Sequence, residues 1–269
     1  MPGKFDLENY DQLWFPGLAE HLVSSLEKAI RSSVGQPGRP YEAFEKQSDS
    51  SIPATASWLL GKNHIAIEYP STSILVRFSD LSFSTIRPES SLAQIWKAAE
   101  VLGLVDGLVD TLGQLVRTVY LLEAPFGYDV SHSDPELPFS IFISLPQPGE
   151  TDGVPRLAES ILHESMHLQL TMIELRAPLI LDDLEGAYSP WKREVRPITG
   201  LIHGLYVFAV IHQMCERLVG SQEEWSRYGQ RRRAEIEKEV AILPKCPRGL
   251  SPIGLDLWYR CRHSVLSSS

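Results

Sequence analysis

Residues Arg156 to Thr171 read RLAESILHESMHLQLT, and this stretch decides the fold. At its centre His163, Glu164 and His167 spell H-E-x-x-H. On a helix, positions i and i+4 stand one turn apart on a single face, so two imidazoles at that spacing can hold one metal ion from a rigid base. Glu164 follows the first ligand directly, where a carboxylate can meet metal-bound water or orient a ligand. Asp152 is suited to cap such a helix and Pro155 suits its first turn. Ile161, Leu162, Met166, Leu168 and Leu170 surround the motif with apolar residues, which predicts a buried helix. A metal would give buried imidazoles a partner; two core histidines bonded to backbone are the plainer alternative.

Outward from the motif, Phe139–Leu145 (FSIFISL) alternates as a strand does, with Phe139, Ile141 and Ile143 on one face. A free strand edge beside a metal could hold an extended peptide by backbone hydrogen bonds, although an ordinary core strand would read the same way. After the motif come the acids Glu174, Asp182, Asp183 and Glu185, then the loop SPWKREVRPITG with Arg193 and Arg196. Leu201–Val219 is an apolar helix that carries His203 and His212. A third ligand is expected there, and His203 fits best, because an unpaired imidazole on a buried helix is costly. His212, nine residues on, lies more than two turns away. Residues 170 and 173 are Leu and Ile, so the longer H-E-x-x-H-x-x-G-x-x-H pattern is absent. A peptidase of the other HExxH type would draw a glutamate from Glu174, Glu185 or Glu194. Arginine pairs bidentately with carboxylates, and Pro197 with the apolar helix beyond it favours Arg196 over Arg193 as the one turned inward.

Elsewhere, Phe15–Val34 reads as a helix with Leu18, Leu22, Leu26 and Ile30 on one face, and VGQPGRPY as a loop. Tyr41–Gly61 is mixed, with a short helix and a Ser-rich turn. His64–Tyr69 is a strand, and Ser73–Phe78 with Leu81–Ile86 reads as a second one. Ser90 opens a helical zone to about Glu123, which Gly103, Gly107 and Gly113 either break into two helices or fit against a neighbour. Gln222–Val240 is a charged helix whose Arg231–Arg233 run reads as a solvated face, and the tail after Ile242 reads as loop. The fold class is therefore α+β, predominantly helical, with a small sheet next to a buried HExxH helix. A single domain is expected over 1–269: a mostly helical part with a short β region to 123, a metal-binding core over 124–219, and a C-terminal helix and tail from 220.

A net charge of −9 argues against a nucleic-acid partner. Three cysteines, Cys215, Cys246 and Cys261, lack metal-ligand spacing and point to free thiols in a reducing compartment. The N-terminus has no apolar core of a signal peptide, and no run of about 18 apolar residues predicts a membrane span, so a cytoplasmic protein is expected. Oligomeric state is left open by the sequence.

The segments PFSIFISLP, RLAESILHESMH and SPWKREVRPITGLIHGLYVF, in that order, resemble the HExxH-containing peptide-modification proteins. These are similar to the 2-oxoglutarate-dependent iron hydroxylases of ribosomally made peptides. The likeness covers roughly residues 125 to 215. It implies Fe(II) held by His163, His167 and a downstream residue, for which His203 fits best. It implies 2-oxoglutarate as cosubstrate, its distal carboxylate on Arg196 or Arg193, and hydroxylation of a peptide residue at its β-carbon. In that chemistry Glu164 orients a ligand or water; in a zinc metallopeptidase the same Glu164 would be the general base. A catalytically silent peptide-binding protein stapled by its metal is the third reading.

Overall fold

Alternation sets the first strands. In β1 (Ala56–Leu60) Ala56, Trp58 and Leu60 are buried while Ser57 and Leu59 face out, and a two-residue turn returns the chain as β2 (Asn63–Glu68), antiparallel to it. The structure is a computed structural model; it describes residue 7 and residues 12–15, 17–33, 56–183 and 186–267. The expected loop over 34–41, the short helix and Ser-rich turn after it, and Glu185 lie outside the described residues. Two compact units divide the chain, one of residues 16–169 and one of residues 1–15 with 170–269. The α+β, predominantly helical class is what the described residues display.

The first unit contains α1 (Leu18–Ser33), the β1–β2 hairpin, α2 (Thr72–Arg77), α3 (Pro88–Leu102), α4 (Leu108–Leu115), β3 (Thr118–Leu122), β4 (Ser131–His132), β5 (Ser140–Ser144) and most of α5 (Gly153–Glu174). Its sheet runs β1-β2-β3-β5-β4, with β3 parallel to both neighbours and the outer pairs antiparallel. Two expectations are corrected here. Ser73–Phe78 is helical: Ser71 caps it by accepting from Ile74 N, and only Phe83, further on, bridges to Leu122. The zone from Ser90 to Glu123 is two helices and then a strand. The first helix ends at Leu102 with Gly103 at its C-cap, Gly107, at φ 74°, stands at the N-cap of α4, and the run Thr-Val-Tyr-Leu-Leu favours the pleated sheet over a further turn of helix. All five residues of β3 are buried, so no polar alternation marks it as a strand. Gly113 keeps the close-packing role: a β-carbon there would overlap the Leu60 carbonyl oxygen. On the sheet, Phe142 gathers Phe78 at 4.8 Å and Tyr120 at 5.0 Å between ring centres.

β5 is the strand expected before the HExxH helix, but it is no free edge. It lies between β3 and β4 with all five residues buried. The edge on that side is the two-residue β4, which reads as loop in the sequence because it is so short.

The second unit contains the hairpin β6 (Gly186–Ser189) and β7 (Glu194–Pro197), then α6 (Ile198–Leu218), α7 (Glu223–Ile242) and α8 (Pro252–Leu266). Asp183 caps α6, accepting from Thr199 N at 2.9 Å and from its hydroxyl at 2.7 Å. By length and composition α6 is the one described helix able to cross a membrane, despite its interrupting His and Gln residues; 67% of its apolar window is buried within the protein. Tyr206 on α6 donates to the Leu13 carbonyl at 3.0 Å and stacks with Phe15. The arginine run on α7 is not uniformly solvated: Arg232 lies over the Phe208 ring and Arg233 pairs with Glu237, while Arg231 is exposed. The tail is not loop either. Ser251 caps α8 by accepting from Gly254 N, Pro252 stands in its first turn, and Leu257, Trp258, Cys261 and Val265 form its buried face.

Candidate functional site

α5 buries every residue from Ile161 to Leu170 except His163 and His167, which keep partial access on a stripe that begins with Arg156 and Glu159. Asp152 precedes the helix, its carbonyl accepting from Arg156 N. The i,i+4 spacing brings the two rings together: their Nε2 atoms are 3.1 Å apart and their ring centres 4.8 Å apart. Two nitrogens each about 2.1 Å from a shared ion and 3.1 Å apart would subtend about 95° at it, within the range of a cis pair of metal ligands. The donor set thus fits a borderline divalent metal such as iron or zinc. Among the described residues, no group of three His, Cys, Asp or Glu side chains is gathered for a metal ion.

Glu164 sits on the buried side of the helix, 4% exposed. Ser131 Oγ donates to its Oε1 at 2.6 Å and Ser133 Oγ to its Oε2 at 2.7 Å. Oε1 also lies 4.0 Å from His163 Nε2. The serines come from β4 and the residue just past it. Sequence reasoning missed both; the only signal is the alternation Ser-His-Ser inside a stretch read as loop. That stretch is pinned to the start of α5. Arg156 forks onto Asp129 with both contacts at 2.8 Å and reaches Glu150 at 3.0 Å. The Gly127 backbone N–H, then that of Gln147 and the Arg156 guanidinium, hold the Glu150 carboxyl below its usual range against its desolvation.

In the second unit, His203 Nε2 meets Glu174 Oε2 at 3.1 Å. The two residues that compete for the third ligand position in the iron and zinc readings are therefore bonded to each other. Since a carboxylate only accepts, Nε2 is the donor in this pair. His212 is wholly buried, its Nε2 3.2 Å from Glu237 Oε1. Burial lowers its pKa, with the Glu237 hydrogen bond opposing.

The two arginines stand on the β6–β7 hairpin. Arg193, at φ 55°, is exposed at its turn, where its N–H donates to the Ser189 carbonyl. Arg196 is not turned inward as expected. Its side chain is 42% exposed and pairs with Glu194 at 3.0 Å, because positions i and i+2 of a strand share a face. Glu194, the third glutamate considered as a ligand, is occupied by that pair.

No family model matches the chain, and no curated protein sequence matches it.

Proposed function

We propose that this protein is a 2-oxoglutarate- and Fe(II)-dependent oxygenase that hydroxylates a β-carbon in a residue of a ribosomally made peptide. The observation that carries the reading is the convergence of His163 and His167 Nε2 to 3.1 Å beside a glutamate whose two oxygens already accept from Ser131 and Ser133. Convergent imidazoles suit a metal. A glutamate tethered at both oxygens suits a positioning role better than that of a general base, which must turn toward a water to take its proton. The third ligand, His203, rests on the sequence together with its bond to Glu174, since metal-binding histidines characteristically donate their other ring N–H to a carboxylate. Arg196 is preferred to Arg193 for the cosubstrate carboxylate. Its guanidinium keeps donors beyond the one on Glu194, whereas Arg193 stands out at the hairpin turn. Bound iron, with 2-oxoglutarate and oxygen, supplies the oxidising power, and the cosubstrate leaves as succinate and CO2. The chain's own residues hold the ion, orient its ligands and grip the cosubstrate. Free thiols at Cys215, Cys246 and Cys261 accord with the cytoplasmic location that goes with this reading.

The test is mass spectrometry of candidate peptides after incubation with Fe(II), 2-oxoglutarate and air. Gain of one oxygen, matched by succinate, supports the oxygenase. Backbone cleavage instead, abolished by Glu164→Gln, makes the protein a zinc peptidase.

A further inference from the structure

We infer that Ser131 and Ser133 are positioning residues for the metal helix, holding the Glu164 carboxylate away from His163 so that the imidazole is left for the ion. The inference deepens the reading above and rests on its claim that His163 and His167 bind a metal.

The geometry is specific. Alternation along an extended chain puts positions 131 and 133 on one side, and each hydroxyl takes a different oxygen of the same carboxylate, at 2.6 and 2.7 Å. Glu164 is almost wholly buried, and among the described residues these hydroxyls are its hydrogen-bond donors. A buried carboxylate does not stay without donors. Were the hydroxyls removed, His163 Nε2, already 4.0 Å from Oε1, is a ring nitrogen the carboxylate could turn to. A Glu164–His163 hydrogen bond would then compete with metal for that nitrogen. The serines also arrive preset: the Arg156–Asp129 fork fixes their strand to the same helix only two residues before Ser131. The short edge strand and the HExxH helix are thus tied at two places, by an ion pair at one end and by the carboxylate at the other.

The experiment is titration of Zn(II) and Co(II) into the full chain against a chromophoric chelator. Loss of an outer partner of a metal ligand typically weakens binding by about 10- to 100-fold, and S131A/S133A is expected to fall in that range. Its Co(II) absorption spectrum shifts as well. Threonine retains the hydroxyl, so S131T and S133T should bind within threefold of wild type. If the serines act through the carboxylate, S131A/S133A has no further effect in a Glu164→Ala background. Affinity of S131A/S133A within threefold of wild type, or tighter, overturns the inference, as does an additive loss in the Glu164→Ala background. Should S131A/S133A fail to fold, the single alanine variants carry the same comparison. If wild type binds no metal, or binds it equally well without His163 and His167, the functional reading and this inference fall together. Histidine-dependent binding that ignores the serines removes this inference alone.

Discussion

α5 and α6 each carry two histidines, and the two pairs live differently. On α5 the spacing of four brings ring to ring, Nε2 to Nε2, with a tethered carboxylate behind them. On α6 the spacing of nine separates the rings, and each takes a carboxylate of its own, His203 with Glu174 and His212 with Glu237. A carboxylate takes the N–H of one imidazole, as an outer partner of a metal ligand also does; two imidazoles facing each other satisfy at most one proton, an arrangement that suits a cation. Spacing on a helix decides whether two histidine rings face each other or take separate carboxylate partners.

The sharpest way to break that contrast is to remove one ring of the α5 pair. His163→Ala or His167→Ala should weaken metal binding by more than about 100-fold, beyond what outer partners account for, with the helical circular dichroism retained. Next comes Glu174→Ala. If Glu174 orients a ligand through His203, metal affinity falls roughly tenfold, while stability measured by urea unfolding changes by less than about 1 kcal/mol, as for a partly exposed pair. Unchanged affinity would make the Glu174–His203 bond purely structural.

The smallest effect is expected at His212, whose replacement by Gln should leave metal binding untouched and alter only the pH dependence of stability. Desolvation lowers the pKa of the buried ring, Glu237 raises it and Arg233 lowers it further, with a net depression from 6.5. The unfolded chain therefore binds the proton more readily than the folded one. Stability from this group is present above the unfolded pKa and lost as pH falls through the folded one. The wild-type melting temperature should drop more steeply between pH 7 and 5 than that of His212→Gln. Equal slopes would show that His212 does not contribute.

Much of the fold was legible because burial leaves a period. The amphipathic helices α1 and α5, the hairpin strand β2 and the apolar α6 all follow from spacing. β3 was not legible. Buried on both faces, its five residues lack strand alternation, and Val119 and Tyr120 continue the helical spacing of Leu112, Leu115 and Val116. α8 was missed because three prolines near its start suggested loop, although Ser251-Pro252 is a start signal. In the site, HExxH spoke for itself. Ser131 and Ser133 did not, because their role depends on a two-residue edge strand that only tertiary pairing creates. The inward reading of Arg196 failed on a neighbour two residues away, since Glu194 shares its face of the hairpin.

X-ray absorption at the metal edge of protein loaded anaerobically with Fe(II) tests the central claim most directly. At least two imidazole nitrogens at about 2.1 Å are expected, with that signature gone in H163A/H167A. An ion with no imidazole in its shell, or the same spectrum after both histidines are replaced, would contradict the account.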